Sequence, residues 1–137
     1  MRRIIPYLVT LLAMLMLDAI WLSLTSQPLY RAQLAGILAP GFRPLPAISF
    51  YLVQTLGVQI FVVWRARRWP EVFALGAAFG IFTYATYDLT NWATLKGWSL
   101  GLSMVDMLWG GVLTSFAAAA GFAAARRNHS SHAFQNT

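Results

Sequence analysis

Three of the four acidic residues in this 137-residue chain, Asp18, Asp88 and Asp106, lie inside long apolar runs. The stretch around Asp88, YATYDLTNWATLKGW, also carries the amide Asn91 one helical turn further on. A charge in the middle of a membrane helix costs about 2.5–3.5 kcal/mol on insertion scales, and such residues usually serve a function. Carboxylate and amide oxygens suit protons, hard cations or amines. These four residues are therefore the candidates for a polar intramembrane site.

The composition indicates that lipid, rather than water, surrounds most of this chain. Hydrophobic residues make up 58% of the sequence and charged residues 10%, whereas soluble domains carry about 25% charged residues. The net charge of +6 is spread over the ends of the apolar runs, which does not indicate a nucleic-acid partner. There is no Cys, and both histidines, His129 and His132, lie in the polar tail. We therefore expect no metal site and no cofactor in the apolar body.

Four apolar runs are long enough to cross a bilayer, which takes about 20 residues. They cover about residues 4–24, 47–64, 72–93 and 100–125. The second and third connections are short, so neighbouring helices should be antiparallel. The sequence therefore predicts an all-α integral membrane protein with four transmembrane helices in an antiparallel bundle over residues 1–125. We expect the polar tail, residues 126–137, to be disordered.

The first connection is the longest of the three. Pro28 suits the start of a helix. It is followed by an apolar stripe that consists of Leu29, Tyr30, Leu34, Ile37 and Leu38. This pattern predicts a short helix in the membrane interface.

Basic residues set the expected orientation of the bundle. One end carries Arg2, Arg3, Arg65, Arg67, Arg68, Arg126 and Arg127. The other end carries only Arg31, Arg43 and Lys96. Because cytoplasmic loops are enriched in Lys and Arg, we expect the N- and C-termini to be cytoplasmic.

The three acids fall at one predicted depth. With a rise of about 1.5 Å per residue, Asp18 and Asp88 lie roughly 21 and 24 Å from the cytoplasmic edge of the core. Asp106 lies roughly 9 Å below the outer edge of a core about 30 Å thick. Helical spacing places aromatic and amide side chains on the same sides as these acids. The predicted polar site therefore consists of Asp18, Asp88, Asn91, Asp106, Tyr84, Tyr87, Trp21 and Trp109.

No Lys or Arg lies at the level of the acids. Lys96, in the connection between the third and fourth spans, is the nearest candidate for a basic partner, and Arg31 is the second. Both side chains are long enough to extend along the outer boundary.

Small residues predict where the helices approach one another closely. Gly76 and Gly80 form a GxxxG pair, Gly110 shares the side of Asp106, and Gly121 belongs to a spacing of small residues in the fourth span. Such residues let helix backbones meet in lipid, and we expect these glycines to serve packing.

The spacing DxxW occurs twice, in DAIWLSLT from Asp18 and in DMLWGGVLT from Asp106. The two helices that carry it should run in opposite directions. The pattern is therefore compatible with a short trace of an inverted repeat, as found in transporters.

The motifs LDAIWL, PLYRAQL, YDLTNWATLKGWSL and VDMLWGG resemble a family of small bacterial membrane proteins, domain of unknown function 2177. The resemblance runs from about Pro6 to Gly121, and it implies four membrane helices and no established activity. The polar tail departs from the family pattern, as does Trp64-Arg65, where many relatives have a proline. A bacterial inner-membrane location follows from the resemblance.

Three functions remain open. The first is a transporter, permease or proton/cation pathway built on the aspartates. The second is a non-catalytic membrane subunit that forms a homodimer or binds a partner protein, with the aspartates as structural groups. The third is an enzyme that modifies lipid head groups or isoprenoids by general acid–base catalysis. No common catalytic motif supports the third function, so we favour the two functions that do not require catalysis. A small cation, a proton or a lipid is the expected ligand.

Overall fold

A computed structural model describes residues 3–36, 41 and 43–133, with the backbone alone at Gln27, Gln33 and residues 128–133. Its helices are α1 (Ile4–Thr25), α2 (Ala32–Leu34), α3 (Pro44–Val58), α4 (Trp69–Thr94) and α5 (Leu100–Ala133). Two π-helical turns, Ser26–Arg31 and Gln59–Val63, extend α1 and α3. Four helical segments are long and apolar enough to cross a membrane: Ile4–Thr25, Pro44–Val63, Trp69–Thr94 and Leu100–Arg127. The predicted all-α membrane bundle is confirmed.

The local sequence explains where α3 and α4 begin. Each has a proline in its first turn, where the missing backbone N–H breaks no helical hydrogen bond. In the first turn of α4, Glu71 accepts a hydrogen bond from the backbone N–H of Arg67 at 2.8 Å and forms an ion pair with Arg68 at 2.9 Å. Both helices begin earlier than predicted, at residues 44 and 69 rather than at 47 and 72. The predicted starts rest on hydropathy, which gives no signal for a proline at a helix start.

The connection between α4 and α5 is a tight turn. Leu95 is extended and ends α4. Gly97 has a φ of 84°, a left-handed conformation that glycine adopts without steric strain. The side chain of Ser99 then accepts a hydrogen bond from the backbone N–H of Leu102 at 3.1 Å and caps the start of α5.

The structure differs from the expectations at the tail and in the first connection. Residues 126–133 continue α5 as a helix, whereas a disordered tail was expected from residue 126. The alanine-rich end of the span and the arginines after it are good helix formers with no proline to stop them. The interfacial helix was expected to begin at Pro28, but α1 passes without a break into the π-helical turn. Pro28 cannot donate to the carbonyl four residues earlier, and the wider π turn accommodates that loss. Ile37, Leu38 and residues 134–137 lie outside the described residues.

Helix α5 is the central helix of the bundle. Half of its span is buried within the protein, compared with 22–33% for the other three spans. It packs most extensively on α4 and next on α1, while α3 packs on α1 and sends its π-helical end against α4 and α5. A core cluster fills the half of the bundle at the arginine end, the end that holds Arg3, Arg65 and Arg126. It includes Met14, Val58, Val62, Val72, Leu113, Ala117 and Phe122.

The opposite half, the loop end, holds the connections at residues 26–36 and 95–99. Here the Pro44–Val58 part of α3 has few backbone contacts with α4 and α5. Side chains bridge part of the gap, as when Gln54 Nε2 donates a hydrogen bond to Thr83 Oγ1 at 3.0 Å. The bundle is therefore closed at the arginine end and open at the loop end.

Candidate ligand-binding site

A cavity of about 690 Å³ lies between the four spans in the loop-end half. Two of the three intramembrane aspartates, Asp18 from α1 and Asp106 from α5, contribute to its wall. The other lining side chains are mainly aromatic or apolar: Leu22, Tyr30, Leu34, Phe50, Gln54, Thr83, Tyr84, Tyr87, Trp98 and Trp109. A mostly apolar cavity with a few convergent polar groups is typical of small-molecule sites.

Asp18 is held by two donors from different helices. Its side chain is 7% exposed. Oδ2 accepts a hydrogen bond from the hydroxyl of Tyr51 on α3 at 2.5 Å, and Oδ1 accepts one from Nε1 of Trp109 on α5 at 2.9 Å. Since a carboxylate has about four lone-pair sites, Asp18 keeps acceptor capacity toward the cavity.

Asp106 is held by the first connection. It is 6% exposed and accepts a hydrogen bond from the hydroxyl of Tyr30. Tyr30 in turn accepts one from Nε1 of Trp21 at 3.1 Å. Burial and the hydrogen bond to Asp106 raise the pKa of Tyr30 well above its usual range, so its hydroxyl stays protonated and remains a donor. The loop thus folds back onto the site.

In each DxxW motif the tryptophan is linked by hydrogen bonds to the aspartate of the other motif. The rings of Trp21 and Trp109 stack with centroids 4.5 Å apart and planes at 8°. Trp109 bonds directly to the aspartate of the other motif, and Trp21 reaches the other aspartate through Tyr30. Antiparallel α1 and α5 therefore meet in a pseudo-symmetric contact, as an inverted repeat would require.

Asp88 stands apart from this network. It is fully buried, and neither carboxylate oxygen has a hydrogen-bond partner among the described residues. It is close enough to Asp106 to interact electrostatically, but it does not line the cavity. Asn91 lies near the side chain of Tyr87 and is also outside the lining. The structure therefore brings Asp18 and Asp106 together at the cavity and leaves Asp88 and Asn91 behind it.

The expected basic partners are not seen at the acids. Lys96 and Arg31 are exposed. Within the part of the chain that the structure describes, none of the three intramembrane aspartates forms an ion pair. The same part holds no group of three His, Asp or Glu side chains arranged to bind a metal ion.

Aromatic rings form most of the cavity wall. Tyr84 interacts electrostatically with both Asp18 and Asp106, and its hydroxyl has no hydrogen-bond partner among the described residues. Tyr87 and Trp98 meet edge to face at 5.6 Å. Trp98 is buried, and its Nε1 donates a hydrogen bond to Oγ of Ser103 at 3.1 Å.

Close packing of α4 on α5 positions these rings. A Cβ at Gly80 would overlap the carbonyl of Gly110, and a Cβ at Gly110 would overlap the ring of Tyr84. A Cβ at Gly76 would lie 2.8 Å from the Cα of Ser115, and one at Gly121 would overlap the hydroxyl of Thr10. All four glycines singled out in the sequence thus sit where backbones or side chains meet closely.

Sequence reasoning missed Tyr30, Tyr51 and Phe50 as parts of the site. Tyr51 lies seven residues into α3, roughly 10 Å from its loop end, which matches the depth expected for Asp106. A depth count over all polar residues would have found it. No feature of the sequence indicated that Tyr30 bonds to Asp106, because that contact depends on how the π-helical turn directs the loop.

One known protein family matches most of this chain. A family model described as "Predicted membrane protein (DUF2177)" matches residues 3–123. It is the family that the motifs resemble, so that expectation is confirmed. No curated protein and no solved structure gives a match.

Proposed function

This chain belongs to the DUF2177 family of predicted membrane proteins, and within that class we propose that it is a small permease for organic cations. The cation binds in the cavity between Asp18 and Asp106. The protein lies in a bacterial inner membrane with both termini in the cytoplasm, so that the cavity faces the outside.

One observation carries this proposal: two carboxylates from different helices border one cavity, and no Lys, Arg or His is among the lining residues that the structure describes. Tyrosine and tryptophan donors bond to both acids and leave acceptor sites unused. A bound ammonium would supply the missing positive charge. Buried charges are otherwise unfavourable in a membrane, so this pair of buried acids favours a cationic ligand.

The aromatic wall favours an organic cation over a hydrated metal ion. The faces of Trp, Tyr and Phe attract ammonium groups through their quadrupoles, and cages of such rings bind quaternary ammonium ligands. Trp109, Trp98, Tyr84 and Phe50 surround the space beside the two acids. The free hydroxyl of Tyr84 adds a polar contact for a ligand that carries N–H or O–H groups.

The route to the arginine end is closed in this structure by the core cluster around Met14, Val58 and Leu113. Polar side chains continue from the cavity wall toward the arginine end: Gln54 meets Thr83 at the wall, and further on Gln59 Nε2 donates to Thr10 Oγ1 at 2.7 Å. The amide oxygen of Gln59 is buried and unpaired within the described residues. We infer that the cation is released at the arginine end only when α3 moves. The cation then passes along these polar side chains.

Uptake of radiolabelled tetramethylammonium into proteoliposomes tests the proposal. The wild-type protein should give saturable uptake. Asp106→Asn should lower this uptake by about tenfold, because the cation loses one charge-assisted contact. Glu71→Gln is the matched control, because it neutralises a half-exposed acid outside the cavity. Equal uptake by the wild type and by the double variant Asp18→Asn/Asp106→Asn would leave the aspartates a structural role and refute the proposal.

A further inference from the structure

The cavity reaches the lipid-facing surface of the bundle between α3 and α4. Phe50 and Tyr87 both line it, yet they are 42% and 59% exposed. The aspartates behind them are almost fully buried. Phe50 lies six residues after Pro44, and Tyr87 lies seven residues before Thr94, so both are roughly 10 Å inside the ends of their spans. At that depth, an exposed side chain in a membrane helix contacts hydrocarbon.

The two sides of this opening differ in how firmly they are held. Tyr87 belongs to α4, which packs on α5 along its length through Gly76 and Gly80. Phe50 belongs to the part of α3 that packs on α1 and has few backbone contacts with α4 or α5. The π-helical turn at Gln59–Val63 separates this part of α3 from the arginine end, and π-helical turns are frequent at functional sites.

The chemistry along the opening changes from apolar to acidic. Among these lining residues the rings of Phe50 and Tyr87 are exposed, Tyr84 is half-buried, and Asp18 and Asp106 are buried. Phe50 and Tyr84 meet edge to face at 6.4 Å, so the wall is continuous on that side. A molecule that matches this gradient has a cationic head and an apolar chain.

We propose that the substrate is an amphiphilic cation, an amine or quaternary ammonium on an alkyl chain, which enters from the lipid through the gap between Phe50 and Tyr87. This inference rests on the proposed cation site, since the head must lie between Asp18 and Asp106. The chain lies along the gap and extends into hydrocarbon. The source is either a membrane lipid with an amine head group or a foreign amphiphile that has dissolved in the bilayer.

Photo-crosslinking in vesicles tests the path on the unmodified chain. The probe is a dodecyltrimethylammonium with a diazirine in its chain, supplied in phosphatidylglycerol vesicles, whose head groups carry no amine. Adducts are mapped by peptide mass spectrometry. We expect saturable adducts on α3 near Phe50 and on α4 near Tyr87, lowered by about tenfold in Asp106→Asn and retained in Glu71→Gln. A dodecanol with the same diazirine should give no saturable adducts there.

Competition within the wild-type protein keeps the test valid if Asp106→Asn fails to fold. Excess tetramethylammonium should remove the adducts at the gap, because it occupies the same head site. Phosphatidylethanolamine added to the vesicles identifies the source: competition assigns the site to a lipid head group, and lack of competition assigns it to an added amphiphile. Both results support the amphiphilic class.

Two results would overturn the inference, and they are distinguishable. If tetramethylammonium binds in an Asp106-dependent way but adducts at the gap are unsaturable or lie elsewhere, access from lipid is wrong and the cation site stands. If neither cation binds in an aspartate-dependent way, the inference and the proposed function both fail.

Discussion

The indole of Trp109 donates a hydrogen bond to Asp18 at 2.9 Å, across the contact between α5 and α1. The same ring stacks on Trp21 at 4.5 Å. The side chain of Trp109 therefore joins Asp18 to Trp21, and Trp21 is linked to Asp106 through Tyr30. This relationship makes the two DxxW motifs a single unit, and it predicts how the unit responds when one of its hydrogen bonds is removed.

Trp109→Phe should keep an aromatic ring against Trp21 but remove the N–H that Asp18 accepts. We expect the free energy of unfolding to fall by about 1–3 kcal/mol, since a buried acceptor loses one donor. Unfolding in mixed detergent micelles, followed by helical content, measures this. Trp92→Phe is the control, because Trp92 is exposed on α4. Equal effects of the two changes would show that the hydrogen bond contributes nothing.

Tyr30 and Asp106 should behave as a coupled pair. Tyr30→Phe removes the only hydrogen bond that Asp106 accepts from the described residues and leaves Nε1 of Trp21 without its acceptor. In a double-mutant cycle with Asp106→Asn, we expect an interaction energy of about 0.5–3 kcal/mol. Tyr7→Phe supplies the comparison, because the hydroxyl of Tyr7 bonds the backbone of Leu52 at an exposed position. Additive effects of Tyr30→Phe and Asp106→Asn would mean that the loop does not hold the site.

The three aspartates should respond differently to an apolar replacement. Asp88→Leu should retain stability or raise it, because the carboxylate is buried and has no partner among the described residues. Asp18→Leu should lower the free energy of unfolding by about 2–6 kcal/mol, because it leaves the donors of Tyr51 and Trp109 unpaired at a cost of about 1–3 kcal/mol each. The same unfolding assay compares them. A larger loss for Asp88→Leu would place Asp88, rather than Asp18, at the centre of the polar network.

Helix contact at Gly80 should tolerate no side chain. Gly80→Ala would drive a Cβ into the carbonyl of Gly110, so we expect α4 and α5 to separate and folded protein to be lost from the membrane fraction. Gly101→Ala is the matched control, because its Cβ would meet only the hydroxyl of Ser99 at 3.9 Å, and Ala favours a helix over Gly. Normal yield of Gly80→Ala would contradict the close approach of the two backbones.

The sequence predicts the four spans well, because the length and hydropathy of a membrane helix are local properties. It also predicts that Asp18 and Asp106 share one level, since rise per residue is constant along a helix. The separation of Asp88 from the cavity was not predictable, because helical spacing indicates a side of a helix and not which neighbour covers it. Here Asp88 is buried behind the lining, while Tyr87 beside it remains exposed at the gap.

The loop side of the site was also beyond prediction from the sequence. The apolar stripe with Tyr30 indicated a helix on the membrane surface, but the π-helical turn directs Tyr30 back to Asp106. Whether such a turn forms depends on how Pro28 is accommodated at the end of α1. That outcome follows from tertiary packing and not from residue type.

Equilibrium binding of tetramethylammonium to the protein in lipid nanodiscs tests the central claim most directly. The wild-type protein should bind one cation per chain, and Asp18→Asn/Asp106→Asn should bind none while it keeps the helical content and monodispersity of the wild type. Saturable binding that is unchanged in this double variant, or no binding to the wild-type protein, would contradict a cation site between Asp18 and Asp106.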